Sequence, residues 1–178
     1  MLTLINQLLD FRKVVKNKMD LRVERLNIVR LAKEVTDNFR ESADEKHIEL
    51  IFSFSLEDIY TWCDPERIES LLYNLLSNAI KYTPEEGYVA VMLALEGSRV
   101  VMRVTDTGRG FPKEELSHVF ELFYQGSNNN TGFAGTGVGL AFVKPMVEHM
   151  NGTATASNRR EGGAELLLTL PLKQPAEI

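Results

Sequence analysis

The chain has 178 residues, of which 44% are hydrophobic and 25% charged, and its formal net charge is −5. These values are typical of one soluble globular domain and exclude an intrinsically disordered chain. The acidic balance argues against a nucleic-acid-binding surface, which is usually basic. No apolar run is long enough to cross a bilayer, and no signal-peptide pattern is present. The single cysteine, Cys63, excludes an internal disulfide and a cysteine-based metal cluster, so we expect a reducing compartment.

The first half of the chain is predicted to alternate between helices and strands. Residue periodicity predicts a helix at residues 2–16, a strand at 21–26 and a helix at 29–46. Two strands follow, at residues 47–55 and 58–63. Asp64 and Pro65 then begin a helix that runs to Tyr82. Aspartate caps free N–H groups, and proline suits the first helical position because no donor is needed there.

The second half is predicted to be richer in strands. Strands at residues 88–96 and 99–106 form one predicted pair, and strands at 152–158 and 164–172 form another. A short helix is predicted at residues 112–120 and a longer one at 138–150. Residues 124–137 are polar and glycine-rich and are predicted to be a long loop, which is typical of a functional or a disordered segment. This order predicts an α/β fold, a two-layer α/β sandwich in which helices cover one face of a mixed, mostly antiparallel sheet.

The helix that begins at Pro65 contains the segment NLLSNAIKYT at residues 74–83. At about 100° per residue its apolar side chains share one arc. That arc consists of Ile68, Leu71, Leu72, Leu75, Leu76 and Ala79. Asn74, Asn78 and Lys81 follow one edge of the arc, either as a solvated flank or as a ligand-binding stripe. An amide oxygen suits Mg²⁺ and a lysine suits phosphate, but the helix alone does not decide between the two.

The segment DTGRGF at residues 106–111 follows a predicted strand. Asp106 could accept a hydrogen bond from an exocyclic amine, and such a site rejects a base that presents a carbonyl. Gly108 and Gly110 permit unusual backbone angles and close approach of a ligand. An ordinary turn around the aspartate is the alternative.

The segment GTGVGLAF at residues 135–142 opens the last predicted helix. A helix N-terminus offers unpaired N–H groups to phosphate, and Gly135, Gly137 and Gly139 leave room for it. A dinucleotide-binding motif would need a strand directly before the glycines, and the P-loop pattern is absent.

Taken in this order, the chain resembles the ATP-binding catalytic domain of sensor histidine kinases, which share a superfamily with gyrase, heat-shock chaperone and mismatch-repair ATPases. Residues 74–83 resemble the N box of that family, 106–111 and 135–142 its two glycine boxes, and 120–124 its phenylalanine box. The resemblance implies a Bergerat-type fold over residues 20–178. Residues 1–19 would be the end of the dimerisation-hairpin helix and a linker.

The resemblance also implies ATP and Mg²⁺ as ligands. Asn78 would bind Mg²⁺, Asn74 and Lys81 would lie at the phosphates, Tyr82 along the ribose and base, and Asp106 at the adenine amine. The other residues implied in ATP binding are Gly108, Gly110, Phe123, Tyr124, Gly135, Thr136, Gly137, Val138, Gly139 and Leu140. Phe120 would anchor the start of the lid over the nucleotide.

The family transfers the γ-phosphoryl group to a histidine, and His47, His118 and His149 do not follow its phosphoacceptor pattern. We therefore expect the phosphoacceptor upstream of this chain. The implied partners are the dimerisation and phosphoacceptor domain of the same protein and the receiver domain of a response regulator. The parent protein would be a homodimer anchored in the inner membrane, with this domain in the cytoplasm.

Three functions stay open at this point. They are histidine kinase, ATPase of the gyrase or chaperone type, and a catalytically silent relay module. The resemblance places a glutamate of the ATPases at position 74, where it accepts a proton from the attacking water. Asn74 is a neutral amide and cannot take that proton, which favours transfer over hydrolysis.

Overall fold

The computed structural model describes residues 12–13, 20–122, 124 and 139–173. Helices pack on one face of a sheet, and the core lies between the two layers. From residue 20 onward the described α-helices are α1, α2, α3 and α4, at Ile28–Asp37, Arg40–Glu45, Pro65–Tyr82 and Gly139–His149. A 3-10 helix spans Lys113–His118. Within the same ranges, no helix combines the length and apolar character that a membrane crossing requires.

The strands form one large sheet and one small sheet. They are β1 to β7 in chain order, at Glu24–Asn27, Glu49–Phe54, Tyr60–Cys63, Tyr88–Glu96, Arg99–Asp106, Thr153–Asn158 and Ala164–Pro171. The large sheet has the order β2-β4-β5-β7-β6, and β2 pairs with β4 in parallel while the other pairs are antiparallel. This arrangement confirms the predicted two-layer sandwich with a mixed, mostly antiparallel sheet.

Two local features differ from the sequence-based prediction. The helix predicted over residues 29–46 is two helices, α1 and α2, because the chain turns at Asn38 and Phe39. The turn keeps Phe39 in the core, where its ring lies 5.0 Å from that of Tyr73 between centroids. Strands β1 and β3 pair with each other in a separate sheet, a partnership that hydrophobic alternation alone does not reveal.

Helix α3 is the central element of the helical layer. All six residues of its predicted apolar arc are buried, and α1 and α4 pack against it. Asp64 caps its N-terminus by accepting from the Arg67 amide at 3.3 Å, and the Arg22 amide donates to the same carboxylate at 2.8 Å. The helix therefore holds a fixed position between the sheet and the other helices.

The C-terminal end of α3 is held by a lysine from another element. The Nζ atom of Lys46 donates to the carbonyl oxygens of Ile80, Lys81 and Thr83 at 2.8, 2.9 and 2.7 Å. Those carbonyls lack partners inside the helix, and a positive charge at a helix C-terminus is favourable. The Thr83 hydroxyl adds a bond to the Ala79 carbonyl at 2.6 Å.

Replacing Lys46 by methionine should lower the free energy of unfolding by about 1–2 kcal/mol, because three helix-end carbonyls lose one charged donor. Lys33→Met is the control, since Lys33 makes an exposed ion pair with Asp37 within α1. We expect that variant to lose roughly 0.5 kcal/mol or less. Urea unfolding of both variants measures the difference, and equal losses would contradict the role given to Lys46.

Candidate functional site

The polar edge of α3 lies beside its buried arc, as the spacing predicts. Asn74, Asn78, Lys81 and Tyr82 are all half-buried, whereas the core residues between them are fully buried. The helix thus presents two amides and one ammonium at the boundary between core and solvent. An amide at that boundary is partly desolvated and gains from a polar partner.

The first residue of α4 meets this edge. A Cβ built on Gly139 would lie 3.4 Å from Asn74 Oδ1 and 3.8 Å from Asn78 Nδ2. The start of α4 and the two amides are therefore neighbours in space. Leu140 follows and packs partly buried against the core, which fixes the N-terminus of α4 beside α3.

The carboxyl end of β5 supplies a buried acid to the same region. Asp106 is 8% exposed, and its Oδ1 accepts from the Gly108 amide at 2.8 Å and from the Ala164 amide at 3.2 Å. Neither of these two bonds uses Oδ2. Burial raises the pKa of the Asp106 carboxyl, while the two backbone donors and the Arg159 charge act to lower it.

The loop that follows, residues 106–111, lies against the end of α3, and we call it the Asp106 loop. A Cβ on Gly108 would lie 2.6 Å from the Tyr82 carbonyl oxygen, so this approach requires glycine. Gly110 has a φ of 67°, which also favours glycine. The loop and α3 therefore meet backbone to backbone.

Two cations flank the aromatic ring at the end of α3. The Lys81 Nζ and the Arg109 Cζ each lie 5.1 Å from the centroid of the Tyr82 ring. Lys81 lies on the edge that also carries the two asparagines, whereas Arg109 comes from the Asp106 loop. The sequence singled out Lys81 and Tyr82, but Arg109 was missed because nothing in its spacing marks the contact.

The segment predicted to begin a lid contacts the core and the 3-10 helix. Phe120 packs partly buried against the core, and the Tyr124 hydroxyl donates to Glu115. Burial and the neighbouring Glu115 carboxylate raise the pKa of Tyr124. The other predicted lid residues, namely Phe123, Gly135, Thr136, Gly137 and Val138, lie outside the described residues.

The hairpin between β6 and β7 also contacts the Asp106 loop, through residues that the sequence did not single out. Asn158 pairs with the backbone of Phe111, and Arg159 donates to the Asp106 carbonyl. The segment NRREGG that contains them indicated only a turn, and its contacts depend on tertiary structure.

The three histidines lie in other surroundings. His47 is in an exposed turn 3.7 Å from Glu85, His118 pairs with Glu121 at 2.6 Å, and His149 ends α4. In the described ranges no group of three or more histidine, cysteine or acidic side chains is arranged to hold a metal. The side-chain amides of Asn74 and Asn78 lie near the start of α4, Asn74 with its Oδ1 and Asn78 with its Nδ2 toward Gly139.

Comparison with known proteins gives a consistent result. The family model described as histidine kinase-, DNA gyrase B- and HSP90-like ATPase matches residues 63–174. The sensor histidine kinase WalK of Bacillus subtilis (strain 168) is 34% identical over 180 residues, which cover 99% of this chain but 29% of that protein. The chain thus spans less than a third of the length of this curated relative.

Solved structures of two histidine kinases share the fold. The catalytic domain of histidine kinase ThkA is 26% identical with a TM-score of 0.77, covering 87% of this chain and 99% of that chain. Full-length ShkA in complex with AMPPNP is 29% identical with a TM-score of 0.85, covering 99% of this chain and 36% of that chain. The chain therefore belongs to the histidine kinase-, DNA gyrase B- and HSP90-like ATPase family, and within it has the sequence and fold of a sensor histidine kinase catalytic domain.

Proposed function

We propose that this chain binds Mg-ATP and transfers the γ-phosphoryl group to a histidine that lies outside it. The observation that carries the proposal is that two elements lie against the polar edge of α3. The start of α4 meets it with Gly139 beside Asn74 and Asn78, and the Asp106 loop meets the same helix at Tyr82. The AMPPNP bound to ShkA, which has the same fold, supports a nucleotide as the ligand.

The adenine end of the pocket is assigned to the Asp106 loop. The Oδ2 atom of Asp106 would accept from the exocyclic amine of adenine, because Oδ1 already accepts from two backbone amides. Guanine presents a carbonyl at that position and would meet the carboxylate unfavourably. Gly108 and Gly110 would shape this end, and Tyr82 would lie along the ribose and base.

The phosphate end is assigned to α3 and to the start of α4. Asn74 and Lys81 would lie at the phosphates, and the N-terminus of α4 adds unpaired N–H groups and a favourable dipole. The remaining residues proposed to contact ATP are Phe123, Tyr124, Gly135, Thr136, Gly137, Val138, Gly139 and Leu140.

The oxygen ligand that the protein offers suits a Mg²⁺ ion that binds together with the nucleotide. Asn78 offers one uncharged oxygen, and Mg²⁺ commonly takes its other ligands from substrate phosphates and water. When bound, the ion would neutralise charge on the β- and γ-phosphates. We therefore assign the protein ligand to Asn78 and expect weak Mg²⁺ binding without nucleotide.

Transfer is favoured over hydrolysis by the residue at position 74. Water needs a group that accepts its proton as it attacks, and the Asn74 amide is not a base at neutral pH. A neutral histidine attacks through the ring nitrogen that carries no proton, so position 74 need not supply a base, and the proton on its other ring nitrogen would pass to water or to a base outside this chain. The attacking nitrogen would form the new P–N bond while the bond from the γ-phosphorus to the bridging oxygen breaks and ADP leaves.

The partners follow from this assignment. We propose that residues 1–19 are the C-terminal end of the dimerisation-hairpin helix and a linker, and that 20–178 are the catalytic domain. The hairpin of the same protein would present the phosphoacceptor, and a response regulator receiver domain would take the phosphoryl group. We further propose a homodimeric parent that is anchored in the inner membrane, with this domain in the cytoplasm.

Asp106→Asn is expected to weaken AMPPNP binding at least about tenfold, equivalent to about 1.4 kcal/mol, because an amide in place of Oδ2 would face the adenine amine as a second donor. Calorimetric titration measures the AMPPNP affinity of the variant.

The same substitution should not lower the melting temperature. Burial raises the pKa of Asp106, so its charge opposes folding above that pKa, and the neutral variant should melt at an equal or higher temperature.

Asp37→Asn is the control for this experiment. Lys33 and Arg40 lower the pKa of Asp37, so its charge favours folding at neutral pH. That variant should melt slightly lower and bind AMPPNP as tightly as the unmodified chain. If Asp106→Asn left the affinity unchanged, Asp106 would not belong to the adenine pocket.

The chain alone should release ADP from Mg-ATP only slowly, because position 74 offers no base to the attacking water. Adding a histidine-bearing dimerisation hairpin should yield phosphohistidine, which radiolabelled γ-phosphate detects, and Asn74→Ala should reduce that yield at least about tenfold. Steady hydrolysis by the chain alone that Asn74→Ala abolishes would instead indicate an ATPase. Absence of AMPPNP binding at millimolar concentration would indicate a silent module.

Asn78→Asp should change the Mg²⁺ dependence of nucleotide binding and leave the fold intact. A carboxylate repels phosphate in the absence of Mg²⁺ and binds the ion more strongly. AMPPNP affinity measured over a Mg²⁺ series should therefore become several-fold more dependent on the ion. Ser77→Asp adds the same charge at an exposed neighbouring position of α3 and should have no such effect. A large fall in the melting temperature of Asn78→Asp would indicate that Asn78 has a structural role.

A further inference from the structure

The hairpin between β6 and β7 reaches the far end of the Asp106 loop through Asn158. The Asn158 Oδ1 accepts from the Phe111 amide at 2.8 Å, and its Nδ2 donates to the Phe111 carbonyl at 2.6 Å. One side chain therefore satisfies both backbone groups of Phe111. Gly110 is packed under the same side chain, because a Cβ there would lie 2.6 Å from Asn158 Oδ1.

The next residue reaches the near end of the loop. The Nη1 of Arg159 donates to the Asp106 carbonyl at 3.0 Å and to the Gly162 carbonyl at 3.3 Å. Its Cζ lies 5.1 Å from the centroid of the Tyr88 ring, and its side chain is 17% exposed. Its Nη2 lies 3.7 Å from a Glu161 carboxylate oxygen that is itself well exposed.

The hairpin backbone joins these contacts. A Cβ on Gly163 would lie 1.9 Å from the Asp106 carbonyl oxygen, and Gly163 has a φ of 92°, so this approach requires glycine. The following amide, that of Ala164, donates to Asp106 Oδ1. Both the main chain and the carboxylate of Asp106 are thus bonded to the hairpin.

We propose that Asn158 and Arg159 are positioning residues that hold the Asp106 loop at its two ends and thereby set the affinity and adenine selectivity of the pocket. The inference rests on the adenine role proposed for Asp106. Neither side chain is assigned a contact with nucleotide, and each acts through the backbone of the loop. A carboxylate that is held from both sides needs no rearrangement when the base enters, which favours binding.

Arg159 has an electrostatic role that Asn158 lacks. Among the described residues, it is the charged side chain that acts to lower the pKa of Asp106, and the Gly108 and Ala164 amides act in the same direction. Without Arg159 the pKa of the carboxyl should rise further. The loss of nucleotide affinity on acidification should then begin at a higher pH, because the protonated form is a weaker acceptor.

The test compares Arg159→Met with Arg160→Met in the 178-residue chain. Arg160 is the exposed next residue, so the control loses the same charge from the same turn. AMPPNP affinity with Mg²⁺ is measured by calorimetry at neutral pH and through the acid range. We expect Arg159→Met to bind about tenfold more weakly and to lose affinity from a higher pH, whereas Arg160→Met follows the unmodified chain.

Two further variants separate position from charge. Arg159→Lys keeps the positive charge but not the forked guanidinium donor. Its affinity should therefore fall on acidification at the same pH as in the unmodified chain, but only part of the affinity lost in Arg159→Met should return. Asn158→Ala should weaken AMPPNP binding relative to its control, Ser157→Ala, without changing the pH at which the affinity falls on acidification. If Arg159→Met does not fold, Asn158→Ala against Ser157→Ala decides the positioning role alone.

Carboxyl titration of Asp106 by carbon NMR in the ligand-free chain separates this inference from the proposed function. If the unmodified chain binds no AMPPNP, the proposed function fails, while the titration still tests the hairpin. A higher midpoint in Arg159→Met than in Arg160→Met supports the inference. Equal midpoints, or equal affinities and pH profiles where nucleotide binds, would overturn it.

Discussion

Helix α3 must bury its apolar arc in the core while it holds Asn74, Asn78 and Lys81 along the edge of that arc. Both requirements act on the same rigid element, so the position of the polar edge is set by core packing. The Asp64 cap at one end and the Lys46 ammonium at the other fix the helix along its axis. The chemistry proposed for the site thus depends on the same contacts that stabilise the fold.

The second half of the site depends on how the sheet presents Asp106. Strand β5 is paired on both sides, and its last residue enters a loop that lies against α3 on one side and the β6–β7 hairpin on the other. Glycines stand where these backbones meet, at Gly108 and Gly163. A buried carboxylate with raised pKa is costly to hold ionised, and backbone amides and Arg159 offset that cost.

Much of this arrangement was predictable from the sequence, because it follows from local patterns. The apolar arc of α3, its Asp64-Pro65 start and the sandwich class depend on periodicity and capping, and all are confirmed. The break between α1 and α2, the separate pairing of β1 with β3 and the contacts of Arg109 and Arg159 depend on tertiary packing. No spacing in a single sequence encodes those contacts. The roles assigned to individual site residues stay predictions.

The central claim is that one pocket holds adenine at the Asp106 loop and Mg²⁺-bound phosphates at the polar edge of α3. A crystal structure of the chain with AMPPNP and Mg²⁺ tests it most directly. We predict the adenine amine at about 3 Å from Asp106 Oδ2. The Mg²⁺ ion should lie at about 2.1 Å from the Asn78 amide oxygen, with its other ligands from phosphate and water. A nucleotide bound elsewhere, or with its base turned away from Asp106, would contradict the account.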